Sequence, residues 1–270
     1  MIQQMLLGAN TAPFEIVQSE FREENSTASN TFSIGKPNAL IPRLSDIQVI
    51  FVWSDSNTND VIECDNDRFV EVTGRNGDDR PCLTVWVAHQ YTNPSGTDNP
   101  KDTVTFNLQN SASSWSWNGT RMVFRPSKDF SSVTQKHQDY QLGTTGFNLD
   151  QNPPNFINTN QSNSTNETTD DTHIYIHVAG IAGRPIGGQA DANRIELYYE
   201  GSPPPDGFNR PEVDPQPDRV SDQSPDGGGN NTNCYFSIRE GVSSIQGFRY
   251  ASINDSGRQS AACFWLDIAP

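Results

Sequence analysis

Residues Asp171–Gly180 read DTHIYIHVAG, and the spacing of their two histidines decides between a helix carrying half a metal site and a strand in a packed sheet. A His-x-x-x-His pair serves one ion when a helix stacks positions i and i+4 on one face. Here the apolar residues fall at every second position instead: Ile174, Ile176 and Val178, with His173, Tyr175 and His177 between them. That period belongs to a strand, whose side chains alternate across the sheet. At a rise of about 3.3 Å per residue the imidazoles stand roughly 13 Å apart. Zinc holds its ligands at about 2 Å, so the pair cannot share an ion. The stretch is predicted to be a strand with an aliphatic core face and a polar sheet face that sets an aromatic between two imidazoles.

Similar text recurs along all 270 residues. Strands are predicted at residues 14–21, 47–53, 68–74, 83–89, 102–108, 120–126, 173–180, 194–201, 234–240, 245–253 and 263–269. Val, Ile, Phe, Tyr and Trp concentrate there, and Pro, Gly, Asn and Asp separate the runs. No apolar helical period lasts three turns, although FSSVTQKHQDYQ (residues 130–141) has room for one short turn of helix. Hydrophobic residues make up 33% and aromatics 10% of the chain. That mixture suits thin sheets with polar loops and is too aromatic for a disordered chain. The fold class expected is all-β: an antiparallel β-sandwich, jelly-roll-like, with long polar loops and an N-terminal arm.

Residues 1–30 are read as the arm and first strand, and residues 31–270 as the sandwich domain. Two excursions interrupt the strand rhythm: an Asn/Thr tract over 149–171 and a Pro/Asp/Gly-rich stretch over 201–231. Both exceed ordinary loop length. The alternative is two β-domains split near residue 150. The single domain is preferred because the part after the Asn/Thr tract supplies only about five strands, too few for an independent core.

The net charge is −15 and lysine is confined to Lys36, Lys101, Lys128 and Lys136. Such a surface repels phosphate backbones, so no nucleic-acid partner is expected. No segment reaches the roughly 20 apolar residues of a membrane span, and the N-terminus lacks the basic region of a signal peptide. Cys64, Cys82, Cys234 and Cys263 form no C-x-x-C pair, which excludes zinc-ribbon and thioredoxin-like motifs. Cys82 and Cys263 sit in apolar strand text, where a buried reduced thiol is the default.

Chemical motifs are sparse. DSNTND (residues 55–60) places oxygen ligands at alternate positions, so Asp55, Asn57 and Asn59 form a candidate calcium site, and no other cofactor is expected. It departs from the EF-hand loop, with Asp60 at the glycine position and Asn66 where a bidentate Glu belongs. A solvated acidic loop is the simpler reading. GVSSIQG lacks the second glycine of a nucleophile elbow, since Ile245 stands there. Trp115 and Trp117 in SSWSWNG fall on one side of an extended strand. Paired indoles stack on sugars or fill a core, and core or subunit packing is favoured over glycan stacking.

The start of the chain, MIQQMLLGAN, together with the Lys-poor, Asn/Thr/Asp-rich text, resembles structural proteins of tailed phages that infect marine bacteria or cyanobacteria. The resemblance implies a non-enzymatic virion component (capsid, head decoration or tail appendage) made in a host cytoplasm without a signal peptide. Independently, the N-terminal stretch is too apolar to dangle in water. Met1, Ile2, Met5, Leu6, Leu7 and Phe14 are therefore the expected assembly interface, with copies of the chain and other virion proteins as partners. The rival expectation is a carbohydrate-binding, host-recognition module that takes surface glycans at Trp115 and Trp117.

Overall fold

In the computed structural model the described residues are 13–54, 62–75, 82–93, 101–109, 115–143, 157–158, 167–168, 170–184, 195–199, 218–223, 231–240, 244–245, 248–252 and 258–270. Among them there is no helix, and the strands pair antiparallel throughout. The first nine strands are β1 (Ile16–Ser29), β2 (Thr31–Gly35), β3 (Ile47–Ser54), β4 (Ile62–Cys64), β5 (Val70–Arg75), β6 (Cys82–Ala88), β7 (Thr103–Leu108), β8 (Trp115–Pro126) and β9 (Ser132–Gly143). Then follow β10 (Ile157–Asn158), β11 (Glu167–Thr168), β12 (Ile174–Arg184), β13 (Ile195–Tyr199), β14 (Asp218–Gln223), β15 (Asn231–Glu240), β16 (Ser244–Ile245), β17 (Phe248–Ser252) and β18 (Arg258–Ala269).

Two five-stranded sheets form the sandwich, one in the order β1-β8-β3-β6-β5 and the other β14-β15-β12-β18-β9. Their facing sides make the first core. Val49, Phe51 and Trp53 of β3 and Val85 of β6 meet Ile174, Ile176 and Val178 of β12, with Phe264 and Leu266 of β18. This core draws residues from both halves of the chain. The DTHIYIHVAG stretch thus enters as expected: its three aliphatic side chains are fully buried at the centre of the second sheet.

The reverse side of the first sheet is covered as well. A three-stranded sheet, β2-β7-β4, packs Phe32, Ile34, Val104 and Phe106 against Ile50, Val52, Trp86 and Trp117. The first sheet is therefore the middle of three layers, and all eight residues of β3 are buried. An alternating pattern cannot survive such an environment, which explains the nearly continuous apolar run IQVIFVW. Gly180 and Gly119 mark where layers come closest. A methyl group on Gly180 would stand 2.5 Å from the Phe51 ring, and one on Gly119 would stand 2.4 Å from that of Phe32. Glycine in mid-strand weakens the ladder but admits the ring.

Some expectations need correction. FSSVTQKHQDYQ holds no helical turn; Ser132–Gly143 is β9, which pairs along β18 and takes its register from that apolar partner. The Asn/Thr excursion supplies β10 and β11, short pieces that pair with β17 and β16, and the Pro/Asp stretch supplies β14 at a sheet edge. β1 runs eight residues beyond the expected end at Phe21, paired with β8 to Ser29. Cys64 is a free thiol, and Cys234 is buried in the first core. The side chains of Cys82 and Cys263 lie outside the described residues.

Candidate functional site

β1 is 14 residues long, well above the common strand length of about 5–6, and it is the outermost strand of the middle layer. One side of it pairs with β8 from Ile16↔Pro126 to Ser29↔Trp115. Among the described residues no strand pairs with its other side. An edge of this length presents a row of backbone donors and acceptors ready for another strand. The local sequence explains its extent: no Gly or Pro occurs between Pro13 and Gly35. Register shifts between Ile16 and Gln18 and between Ser26 and Ser29 leave a regular stretch from Gln18 to Ser26.

Two large apolar side chains on this strand face water, Val17 at 55% and Phe21 at 50% of their full exposure. Phe21 lies opposite Met122, whose side chain belongs to the first core, so it extends that apolar row one strand outward. Arg22 is held in place beside it. Its Nε donates to Glu24 Oε1 at 2.6 Å, and its Nη1 donates to Asn38 Oδ1 at 3.1 Å and to the Lys36 carbonyl at 3.3 Å. The base of the strand is tied down as well. Glu15 N–H donates to Ser127 Oγ, Ser127 N–H to the Glu15 carbonyl, and Ile16 N–H to Glu240 Oε1 at 2.7 Å. Ile41 and Leu44, both exposed, lie in the turn whose Ile41 carbonyl accepts from Arg125. Arg125 in turn reaches Gln18 of β1.

Of the expected interface residues, Met1, Ile2, Met5, Leu6 and Leu7 lie outside the described residues. Phe14 is half-buried against its own first core, an intramolecular place rather than an exposed one. Asp55, Asn57 and Asn59 also lie outside. The neighbouring carboxylates already have partners: Asp65 Oδ1 accepts from Thr105 N–H at 2.9 Å, Lys101 approaches Asp65 Oδ2, and Glu63 accepts from Gln109. Among the described residues no group of three His, Cys, Asp or Glu side chains gathers in metal-binding geometry.

Trp117 packs in the core, the reading favoured from the sequence, and the rival glycan-stacking role is overturned for this residue. It is wholly buried, its indole stacks on Phe32 at 5.9 Å with the planes 9° apart, and its Nε1 donates to the Ser29 carbonyl. A sugar has no access to that ring. The side chain of Trp115 lies outside the described residues.

The histidine face carries a hydrogen-bonded cluster. His173 Nδ1 sits 2.7 Å from Asp267 Oδ1, and its Nε2 lies 3.8 Å from Asp170 Oδ2. Tyr175 is buried, and its hydroxyl accepts from Asp170 N–H at 2.8 Å. The Thr172 backbone N–H and hydroxyl hold the Asp170 carboxyl below its ordinary range. These contacts fasten the turn before β12 to the end of β18. His177 faces Ser237 and Trp265 in register, and its side chain lies outside the described residues.

His89 is the strongly perturbed imidazole. It packs edge-on against Tyr91 and Phe130, and its Nδ1 accepts from Tyr91 N–H. Burial pushes its pKa from 6.5 down to about 4. The folded protein thus binds this proton more weakly than the unfolded chain does. Its stabilising contribution is complete above pH 6.5 and is lost as pH falls from there toward 4. The expected loss is about 2 kcal/mol over that window, after allowing for partial solvent contact. Urea unfolding at pH 7 and at pH 4 checks it: His89→Gln should start less stable at pH 7 and show a correspondingly shallower acid loss.

No protein-family model, curated protein or solved structure matches the chain.

Proposed function

We propose that this chain is a non-enzymatic structural protein of a virion (capsid, head-decoration or tail-appendage component) that acts by assembling with copies of itself and with other virion proteins. The observation that carries the assembly reading is the β1 edge. A 14-residue strand with half-exposed Val17 and Phe21 stands where the apolar segment preceding Pro13 joins the fold. Natural sheets commonly blunt an edge with lysine, proline, charges, bulges or a cover; β1 contains neither lysine nor proline, and although it carries charges and a register shift near each end, Gln18–Ser26 stays regular. A net charge of −15 opposes indiscriminate association, so copies that do assemble must overcome their mutual repulsion at a specific contact. The virion part of the reading rests on the likeness of MIQQMLLGAN and the surrounding composition to phage structural proteins.

Light scattering on the purified full chain tests the assembly. A closed oligomer at micromolar concentration is expected. Removal of residues 1–12, which leaves the Pro13–Ser127 tie in place, should lower its order. A monomer at all concentrations overturns the assembly reading. Mass spectrometry of purified particles from a host-phage system encoding the chain tests its place in a virion.

A further inference from the structure

We infer that two copies of this chain join edge to edge through β1, antiparallel about a two-fold axis that passes beside Phe21. This inference rests on the assembly reading and adds the surface, the register and the partner, a second copy.

Three features of β1 point to it. The strand is regular from Gln18 to Ser26, long enough to carry a ladder, and its outer side is unpaired among the described residues. The exposed residues of that stretch include one large apolar side chain, Phe21. Its charges read Glu20, Arg22, Glu23 and Glu24, an asymmetric set that discriminates between registers.

Centring the two-fold on Phe21 sets Phe21 against Phe21 of the second copy. It also sets Glu20 against Arg22 of that copy and Arg22 against its Glu20. Ser19 then faces Glu23, and Gln18 faces Glu24, so no like charges meet. Centring on Arg22 opposes two arginines and puts Glu20 against Glu24. Centring on Glu20 opposes two carboxylates, and a centre between two residues is excluded because a two-fold normal to the sheet opposes only side chains of the same face. Cross-strand aromatic pairs and opposite charges stabilise a ladder and directly opposed like charges weaken it, so the Phe21-centred register is the one that satisfies both. Arg22 is already oriented by Glu24, Asn38 and the Lys36 carbonyl, so little side-chain freedom is lost when it meets Glu20. The two middle layers would then become one ten-stranded sheet, a two-fold, self-complementary contact of the kind that closes dimers.

Disulfide trapping on the full chain tests the register. Phe21→Cys should form a covalent dimer under mild oxidation, because directly opposed strand positions lie within disulfide reach. Ser19→Cys and Glu23→Cys should each stay uncrosslinked alone yet form a heterodimer when mixed. Wild type, with its native cysteines, is the blank. Glu20→Lys should raise the dissociation constant at least about ten-fold through two like-charge contacts, with the far-UV spectrum unchanged. An oligomeric wild type whose Phe21→Cys variant fails to crosslink overturns the β1 interface and leaves assembly standing. Crosslinking of Ser19→Cys with itself overturns the register. A monomeric wild type overturns both.

Discussion

Replacing Arg121 by methionine should cost the fold roughly 4 kcal/mol, read as a fall in the free energy of urea unfolding at pH 7. Arg121 lies on β8 facing the second core and is wholly buried, opposite Ile50 of β3. Among the described residues its guanidinium meets no carboxylate directly. Nε and Nη2 both donate to Gln48 Oε1, at 3.1 and 2.7 Å, and Nη1 and Nη2 donate to the carbonyls of Asp102 and Lys101 at 3.1 and 2.9 Å. The Phe69 ring lies 5.9 Å below. Burial pulls its pKa down to about 10, still far above neutrality, so the charge persists in the folded state. Methionine fills similar volume yet leaves the Gln48 amide oxygen and two carbonyls without their donors. A buried acceptor stripped of its partner costs about 1–3 kcal/mol. Against a total stability of roughly 5–15 kcal/mol, that is a large share. Arg121→Lys should recover less than half of the loss, because an ammonium cannot reproduce a planar fork that reaches three acceptors. A loss below 1 kcal/mol for the methionine variant would show that the guanidinium network is dispensable.

That side chain also shows what the sequence conceals. In TRMVFRP the alternation of Met122 and Phe124 makes the strand legible, while Arg121, just before Met122 and on the opposite face, is of a type ordinarily left in water. It points instead into a second core, because a third sheet covers that face. The continuous apolar run of β3 is a sign of burial on both sides. The covering sheet is harder to find: β2 is five residues, β4 three, and its strands are scattered along the chain, with β5 and β6 of the middle sheet falling between β4 and β7. Strands dense in apolar residues were legible to within a few residues. β9 and the second half of β1 were not, since their polar sequences are extended by pairing with the apolar strands β18 and β8. Partner strands, not intrinsic propensity, decide such cases.

The candidate site was legible only in part. Apolarity near the N-terminus pointed to an interface, but at residues 1–7, outside the described residues. The exposed Phe21 and the regular edge beside it required knowing which strand ends the sheet, and strand order is a long-range property. A local signal did exist in the absence of Gly and Pro from residue 14 to residue 34. Trp117 and His173 show the converse. Both belong to residue types that draw functional readings, and both are fixed by packing and hydrogen bonds within the fold.

Asp46→Ala should destabilise the protein by about 3–5 kcal/mol, the usual cost of removing one partner from a buried ion pair. The Asp46 carboxylate is fully buried at the entry to β3. Arg125 grips it with both arms, Nε to Oδ1 at 2.8 Å and Nη2 to Oδ2 at 2.7 Å, and Arg43 N–H donates to Oδ2 at 2.7 Å. Arg125 also donates to the Ile41 carbonyl and reaches Gln18. One carboxylate therefore ties together the turn before β3, the end of β8 and the start of the exposed edge. Alanine leaves the guanidinium without its counter-charge and the turn without its cap. Asn at this position keeps one acceptor and should lose about half as much. The double variant with Arg125→Met should be markedly less destabilised than the sum of the two single changes, since the second removes the charge that the first leaves unpaired. Added salt to 0.5 M should change the penalty little, because a buried pair is poorly screened. Strict additivity in that cycle would mean that the two side chains act independently, and the clamp on β1 would have to be sought elsewhere.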